Sequence, residues 1–259
     1  YFVNAESKTA MFFVRTLSGS TIVSETTKDL RIYVPDLYAP TLFDTLIEES
    51  NTKVLEVMGL VVLRFYQNLS DIKVEVVGLG SHGSTIKSYK IEGFANRSQT
   101  NNIFNVGTPT TAGNFTIKAT IPNSRGKSVS ESKTFTVLPY IPPTIDDFIA
   151  FRRDGTLGAD AKLITRQIVM GEPNINPALI EIKYREVGTY TWTLAYSATS
   201  NASDFNQTVY IGDTFNTYVG YELLATITDK FKSQSAQFTL TTASITMAMD
   251  RDTNNVGFG

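Results

Sequence analysis

The chain has 259 residues, of which 42% are hydrophobic and 19% charged, a balance that is typical of folded domains and excludes wholesale disorder. Its formal net charge is −2, and its 23 basic and 25 acidic residues form no block of either sign, so the charge pattern gives no reason to expect nucleic acid or a membrane as a partner. The absence of cysteine and the single histidine exclude disulfides and leave too few nitrogen and sulfur ligands for a transition-metal site.

The first 37 residues predict the C-terminal part of a preceding β module. Aromatic and β-branched residues indicate strands at Met11–Arg15 and Leu30–Val34, and Ser18–Ser20 supplies a turn between them. The tyrosine–proline joint Tyr38–Pro40 follows. We therefore expect residues 1–37 to be the end of a repeat whose earlier part precedes Tyr1.

Residues 38–139 predict a complete immunoglobulin-like β-sandwich. Ile72, Val74 and Val76 alternate with other residues, among them Lys73 and Glu75, which is the period of a half-buried strand. The strands predicted for this module are 53–56, 61–66, 72–77, 85–91, 115–121 and 134–137.

Two stretches of this first module lack a regular alternation of apolar and polar residues. Thr41–Met58 has leucines at mixed spacing, and we favour an acidic loop followed by a strand over a helical turn. Gly93–Gly113 is long and polar, so we expect an exposed loop there.

Residues 140–244 predict a second sandwich, of fibronectin III-like or immunoglobulin-like type, and residues 245–259 the start of a further β element. Asp154-Gly155 marks a turn before a strand around Leu163–Met170. Ile180, Ile182 and Tyr184 alternate with charged residues in another strand, and a strand begins after Ile245. The predicted fold class is thus all-β, with tandem immunoglobulin-like and fibronectin III-like β-sandwiches.

The two modules share an internal repeat. Phe115–Ile121 is matched by Tyr221–Ile227, which follows it at a constant distance of 106 residues, and the Tyr38–Pro40 joint is matched at Tyr140–Pro143. A period of about 100 residues carried by alternating strands is the length of one immunoglobulin-like sandwich.

No set of residues in the sequence predicts catalysis, cofactor binding or a metal site. His82 lies in a glycine–serine run with no nucleophile-elbow pattern in the chain, so a solvated turn is favoured over a catalytic base. Asp250, Asp252 and Asn254 offer oxygens at alternate positions, but the glycine and glutamate of a calcium loop are missing, and a polar turn is favoured. A linker is likewise favoured over a calcium site at Asp146-Asp147. We expect no enzyme and no cofactor.

The aromatic residues after Gly188 allow two interpretations. Tyr190, Trp192 and Leu194 alternate with threonines, which predicts that they face the core. Tyr184, Tyr190 and Trp192 form a sugar-stacking platform in the alternative case that they are exposed.

Two stretches of the first module resemble known proteins. Ser84–Ile91 and Gly113–Ser128 resemble the strand and turn signatures of immunoglobulin-like modules in minor structural proteins of long-tailed phages, with Asn123 where those modules carry aspartate. Val137–Pro143 is similar to their closing joint.

The second module extends the resemblance. Phe151–Gly155 and Ile182–Trp192 resemble the fibronectin-like module that follows in the same proteins, and Asn255–Gly259 is similar to the entry of their C-terminal region. The resemblance implies a virion component of the tail tip or baseplate of a phage of Gram-positive bacteria. It also implies other tail or baseplate proteins as partners, a multi-copy or homo-oligomeric state, and at most weak contact with a host cell-wall glycan.

A carbohydrate-binding adhesin, either a receptor-binding protein or a bacterial cell-surface adhesin, is the alternative function. It requires an exposed aromatic patch, for which Phe94–Phe104 and Phe205–Tyr210 are the candidate segments. The structural interpretation, a tail spacer that assists attachment, is preferred on sequence.

Overall fold

The structure, a computed structural model, describes residues 7–59, 63–171 and 174–242, together with the backbone of short strands at 247–249 and 256–258. Its described residues are nearly all β and divide into two compact units, Tyr1–Tyr140 and Ile141–Gly259. The predicted all-β class with tandem β-sandwiches is confirmed. The finer division at residues 37, 139 and 244 remains a prediction.

The first element is a two-stranded antiparallel ribbon. Strand β1 (Ser7–Ser18) pairs with β2 (Thr21–Tyr33) along its whole length, and Gly19 makes the turn at φ +66°. Both strands predicted in this region and the turn between them are confirmed. Among the described residues, neither strand pairs with any other.

The sandwich of the first unit consists of two sheets. The elements are β3 (Thr41–Glu49), α1 (Thr52–Met58), β4 (Arg64–Tyr66), β5 (Ile72–Leu79), β6 (Tyr89–Gly93), β7 (Arg97–Gln99), β8 (Ile103–Gly107), β9 (Gly113–Pro122) and β10 (Ser128–Leu138). One sheet has the strand order β3-β5-β8, and the other has the order β4-β10-β9-β6-β7, in which β4 and β10 are parallel. Alternate residues of β5 and β9 point inward, so that Ile72, Val74, Ile117 and Ile121 are fully buried in one core with Phe135.

Three predictions for this unit are wrong. The acidic loop followed by a strand that was favoured for Thr41–Met58 is instead a strand, β3, followed by a helix, α1. Residues 53–56 are not a strand but lie in α1, because the Asn51 side chain caps the helix by accepting hydrogen bonds from Lys53 N at 3.0 Å and Val54 N at 3.4 Å. Val54 and Met58, four residues apart, bury the inner face of this helix. Gly93–Gly113 is not one long loop, since β7 and β8 lie within it and β8 completes a sheet with β5.

Other strands are confirmed with changed boundaries. The strand predicted at 85–91 is regular only from Tyr89. The strand predicted at 61–66 corresponds to β4 from Arg64 onward, with Leu63 in a turn and residues 61 and 62 outside the described residues.

The sandwich of the second unit has a three-stranded and a four-stranded sheet. The strands are β11 (Thr144–Arg152), β12 (Ala159–Arg166), β13 (Ala178–Glu186), β14 (Thr193–Ser200), β15 (Asp204–Gly212), β16 (Tyr221–Thr228) and β17 (Ser233–Leu240). Their orders in the two sheets are β11-β12-β15 and β14-β13-β16-β17. Leu163, Ile180, Ile182 and Leu223 come from both sheets and are completely buried in a single core. Each sheet contributes one apolar face, which is the arrangement of a β-sandwich.

The predicted position of one strand and of the aromatic residues in this unit needs correction. The strand after Asp154-Gly155 is β12, which ends at Arg166 rather than at Met170. Tyr190 and Leu194 do not face the core, because β14 begins only at Thr193; Tyr190 is 91% and Leu194 52% exposed. A further strand, β18 (Met247–Met249), pairs with β19 (Val256–Phe258), and Asp250, Asp252 and Asn254 lie outside the described residues.

Candidate interaction surfaces

His82, the only histidine, packs against the tyrosine–proline joint of the first unit. Its ring packs edge-on against the ring of Tyr38 with the centroids 4.5 Å apart, and its carbonyl oxygen accepts a hydrogen bond from Arg125 Nη2 at 2.5 Å. The Arg125 guanidinium in turn lies 5.7 Å from the Tyr38 ring centroid. These contacts hold the tyrosine–proline joint against two turns of the first unit.

Three aspartates of the described residues, Asp36, Asp44 and Asp146, are held in ion pairs. Lys127 Nζ donates to Asp36 Oδ1 and Lys133 Nζ to Asp44 Oδ1, each at 2.8 Å, and these bonds lower the pKa of both carboxyls. The hydrogen bond from Arg166 lowers the pKa of Asp146 in the same way. A general acid needs a raised pKa, so these carboxylates act as partners in ion pairs.

Asp146 therefore belongs to an ion pair with Arg166. Within the described ranges no group of three or more histidine, cysteine or acidic side chains is placed to hold a metal ion. No helix of the described residues is long and apolar enough to cross a membrane.

The loops at one end of the second sandwich expose aromatic side chains. Tyr190 in the β13–β14 loop is 91% exposed and Tyr218 in the β15–β16 loop is 76% exposed. The two loops are joined by a hydrogen bond from Val187 N to Gly220 O of 2.9 Å. We call Val187, Tyr190, Trp192 and Tyr218 the aromatic loop surface.

Trp192 is partly exposed at this surface and is held by a cation–π contact. The Arg185 guanidinium lies 4.4 Å from the centre of its ring, and Arg185 Nε donates to Glu222 Oε2 at 2.6 Å. Tyr184, the third residue of the suggested platform, instead packs against Phe215 with ring centroids 4.8 Å apart. The structure thus places two of the three predicted platform residues outside the core and the third at its edge.

The two segments that were predicted to carry exposed aromatics do so only in part. Phe104 and Phe205 are buried in the two cores. Tyr210 is 41% exposed, but its ring stacks under the Arg153 guanidinium at 4.3 Å, and a hydrogen bond to Asp213, together with burial, raises its pKa. Phe94 is half-buried and lines an open, mainly polar groove of about 630 Å³ with Phe115, Thr108, Thr111 and Asn114.

The β1–β2 ribbon exposes apolar residues on both of its faces. Large apolar side chains on the two strands are between 40% and 63% exposed: Met11, Phe12, Phe13, Val14, Leu17, Ile22, Val23, Leu30, Ile32 and Tyr33. Folded domains rarely leave so many neighbouring apolar groups in water unless the surface binds a partner.

Sequence reasoning identified the ribbon strands but missed the exposure of both faces, and it missed Tyr218 altogether. The sequence offers no signal that separates Tyr218 from Phe215, because both lie in the same loop, Asp213–Gly220, and Phe215 is fully buried.

The model of a family described as "Siphovirus protein of unknown function (DUF859)" matches residues 1–259. No curated protein matches the chain.

Solved structures that resemble the chain do so only distantly. One, described as "Structural basis for the promiscuous specificity of the carbohydrate-binding modules from the beta-sandwich super family", is 8% identical, with a TM-score of 0.30 over 78% of this chain and 94% of that one. Another, a mutant of Salmonella alpha-2-macroglobulin, is 8% identical, with a TM-score of 0.25 over 99% of this chain and 21% of that one. At these scores the fold assignment rests on the sheet topology of the chain itself.

Proposed function

This chain belongs to the siphovirus protein family whose model matches residues 1–259, and we propose that it is a non-enzymatic structural component of the phage particle, located at the tail tip or baseplate. Its sandwiches act there as spacers between other tail or baseplate proteins. The chain is present in several copies per particle and assists attachment to a Gram-positive host.

The observation that carries this proposal is the distribution of apolar side chains. Each sandwich closes its own core, whereas the β1–β2 ribbon exposes apolar side chains along both strands, and the aromatic loop surface exposes Val187, Tyr190 and Tyr218. Rigid β domains that expose apolar groups at loops and ribbon faces are suited to assembly, because the contacts of a partner bury surface that the fold leaves in water.

The experiment is to locate the chain in purified phage. Particles are analysed by mass spectrometry and by cryo-electron microscopy, with an antibody against the purified chain as label and an antibody against the tail-tube protein as positive control. We expect the label at the distal end of the tail. Absence of the chain from purified particles, or a label on the capsid, contradicts the proposal.

A second function, that of a carbohydrate-binding adhesin, is supported by the exposure of Tyr190 and Tyr218 beside the partly exposed Trp192. Exposed aromatic rings present flat apolar faces on which sugar rings can stack, while their polar groups remain hydrated. Several copies in one particle strengthen a weak contact of this kind by avidity.

This second function is tested by sedimentation of the purified chain with isolated host cell-wall polysaccharide. Tyr190→Ala combined with Tyr218→Ala is expected to abolish co-sedimentation. Phe43→Ala, which removes an aromatic side chain that is 60% exposed in the first unit, is the matched control. Binding that survives the double substitution, or no binding by the unaltered chain, eliminates this surface as the glycan site.

A further inference from the structure

The Arg152 side chain ties together three separate segments of the second unit. Its Nε donates to Thr241 O at 3.1 Å, its Nη1 to Phe215 O at 2.6 Å and its Nη2 to Val219 O at 2.7 Å. The guanidinium thus uses all three of its nitrogen atoms, in a planar fork that a lysine ammonium cannot reproduce. Arg152 lies in Phe151–Gly155, one of the motifs that carry the resemblance to phage proteins, and these contacts give that motif a structural role.

Two of the three acceptors of Arg152 lie in the β15–β16 loop, one on each side of Tyr218. The same loop is held from within, because Asn216 Oδ1 accepts a hydrogen bond from Tyr218 N at 3.0 Å and Asn216 O accepts one from Val219 N at 3.2 Å. The Tyr218 side chain nevertheless remains 76% exposed. The loop therefore presents an exposed aromatic ring from a backbone that is fixed on both sides.

The β13–β14 loop, which carries Tyr190, is held in a comparable way. Glu186 O accepts hydrogen bonds from Thr189 N at 3.0 Å and from Thr189 Oγ1 at 2.8 Å. Val187 N donates to Gly220 O of the neighbouring loop. Ordering a mobile loop on binding costs free energy, so loops that are in place before the ligand arrives bind it more tightly. A tyrosine adds only two side-chain torsions to be ordered, and the two exposed rings are thus preorganised for contact with a ligand.

The charges of the two loops select the chemistry of that ligand. Residues 187–192 contain no charged side chain, and residues 213–220 contain one, an aspartate. At the base of the first loop, Arg185 donates to Glu222 at 2.6 Å, whereas the acidic Glu186 is exposed. A polymer that is recognised through phosphate or carboxylate groups needs lysine or arginine side chains, and neither loop contains one. An uncharged polymer meets no repulsion there.

We propose that Arg152 is a positioning residue of the aromatic loop surface and that this surface takes an uncharged glycan, on whose sugar rings Tyr190 and Tyr218 stack. The tyrosine rings supply the apolar contact, and Arg152 sets the geometry of the loop without touching the ligand. Thr191 and Thr217, each next to one of these tyrosines, offer uncharged hydroxyl groups for hydrogen bonds with sugar hydroxyls. This inference rests on the second function proposed above, to which it adds the class of glycan and the residue that holds the site.

The first test determines the class of glycan. Host cell-wall polymers are separated by anion exchange into an uncharged and a phosphate-bearing fraction, and each is coupled to beads and sedimented with the purified full chain. We expect the chain to sediment with the uncharged fraction only. Sedimentation with the phosphate-bearing fraction, alone or in addition, overturns the assignment of an uncharged ligand.

The second test measures the affinity of variants for oligosaccharides released from the uncharged fraction, through the fluorescence of Trp192, the only tryptophan of the chain. Arg152→Lys keeps the charge but supplies a single point donor, so we expect the dissociation constant to rise about tenfold. Arg153→Lys is the matched control, because its guanidinium bonds with Asp160 at 2.7 and 2.8 Å instead of holding the loop. Equal affinities of the two variants overturn the positioning role.

Two measurements separate positioning from a contribution to the fold alone. Affinities are compared well below the unfolding temperature of each variant, so that only folded chains are titrated. Amide hydrogen exchange is expected to be faster at Tyr218 and Val219 in Arg152→Lys than in the unaltered chain, and unchanged at Ile182 and Leu223 of the core. An Arg152→Lys chain that does not fold, or whose loop exchanges no faster, overturns the positioning role.

A second substitution tests the order of the loop without altering Arg152. Asn216→Ala removes the acceptor of Tyr218 N, and Asn216→Asp keeps it, so the aspartate variant is expected to bind the oligosaccharides more tightly than the alanine variant. Equal affinities of these two variants contradict the view that a preorganised loop governs binding.

Failure of this inference can be distinguished from failure of the proposed function. An unaltered chain that binds neither fraction refutes glycan binding itself. A chain that binds the uncharged fraction with the same affinity before and after Arg152→Lys leaves glycan binding standing and refutes the role of Arg152.

Discussion

At the scale of single residues, each copy of the internal repeat has one side chain that accepts backbone hydrogen bonds in the turn after the matched strand. Asn123 and Asp229 are separated by the same 106 residues as the matched strands. Asn123 Oδ1 accepts hydrogen bonds from the backbone N–H groups of Arg125 and Lys127, both at 3.0 Å, and Asp229 Oδ1 accepts from Phe231 and Lys232, both at 2.7 Å. Either residue type supplies the acceptor, which explains why the first unit can carry Asn123 where the second carries Asp229 without loss of the turn.

Asn123→Ala is expected to destabilise the first sandwich by about 3 kcal/mol, because two backbone N–H groups that are wholly or partly buried lose their acceptor and the carbonyl of Tyr38 loses one of its two donors, Asn123 Nδ2 at 2.8 Å, and keeps only Ser81 Oγ at 2.7 Å. Asn123→Asp keeps the Oδ1 acceptor but replaces the Nδ2 donor with an oxygen that faces Tyr38 O, so it is expected to recover only part of the loss. The free energy of unfolding in urea measures both, with the exposed Asn105→Ala as control. If Asn123→Ala and Asn105→Ala are equally stable, the turn does not depend on this side chain.

Tyr221 supports the second sandwich in a similar way. Its ring is buried at the start of β16, and its hydroxyl donates to Thr214 O at 3.0 Å and accepts from Asn216 N at 3.1 Å, the arrangement of a tyrosine corner. Tyr221→Phe is expected to lower the free energy of unfolding by about 1–2 kcal/mol, since two backbone groups lose a partner. Tyr218→Phe, which alters an exposed hydroxyl, is the control; equal effects of the two substitutions rule out the corner as a stabilising contact.

At the scale of elements, alternation predicts strands well and fails where a short element is fixed by one side chain. The alternating residues of β5, β9 and β13 identify both the strands and their inward faces. Helix α1 has only seven residues, too few to show a helical period, and its position depends on the Asn51 cap. The edge strand β7, three residues long, carries no alternation that distinguishes it from a loop.

The contribution of the Asn51 cap to stability can be measured by substitution. Asn51→Ala removes the acceptor of the first helical turn and also the 2.7 Å hydrogen bond from Asn51 Nδ2 to Leu69 O, so a loss of about 1–2 kcal/mol in the free energy of unfolding is expected. Asn51→Asp retains the cap and should recover part of the loss. Equal stability of the alanine and aspartate variants indicates that the cap does not determine the helix.

At the scale of the whole molecule, sequence predicts the fold class better than the surfaces that would bind a partner. Tyr190 and Trp192 are candidates for a sugar-stacking platform on sequence, but their alternation with threonines is also the pattern of a half-buried strand. Their exposure follows from where β14 begins, which pairing with β13 decides. The exposed apolar residues of the ribbon illustrate the same limit: alternation predicts two strands there, whereas only the sheet topology shows that, in the part of the chain that the structure describes, no third strand pairs with them.

The last prediction concerns how much of the chain folds as a unit. The core of the first sandwich is built from residues between 42 and 137 and that of the second from residues between 145 and 240. Because each set includes both sheets of its own sandwich, we predict that residues 34–140 and 141–242, produced separately, each unfold cooperatively in urea. Ile117→Ala and Leu223→Ala, both at fully buried positions, should each lower the stability of their own piece by about 2–5 kcal/mol. The matched control is Leu194→Ala, at an exposed position of β14, which should change the stability of the second piece far less. A piece that unfolds without a cooperative transition shows that its core is incomplete, and the boundary between the units then has to be moved.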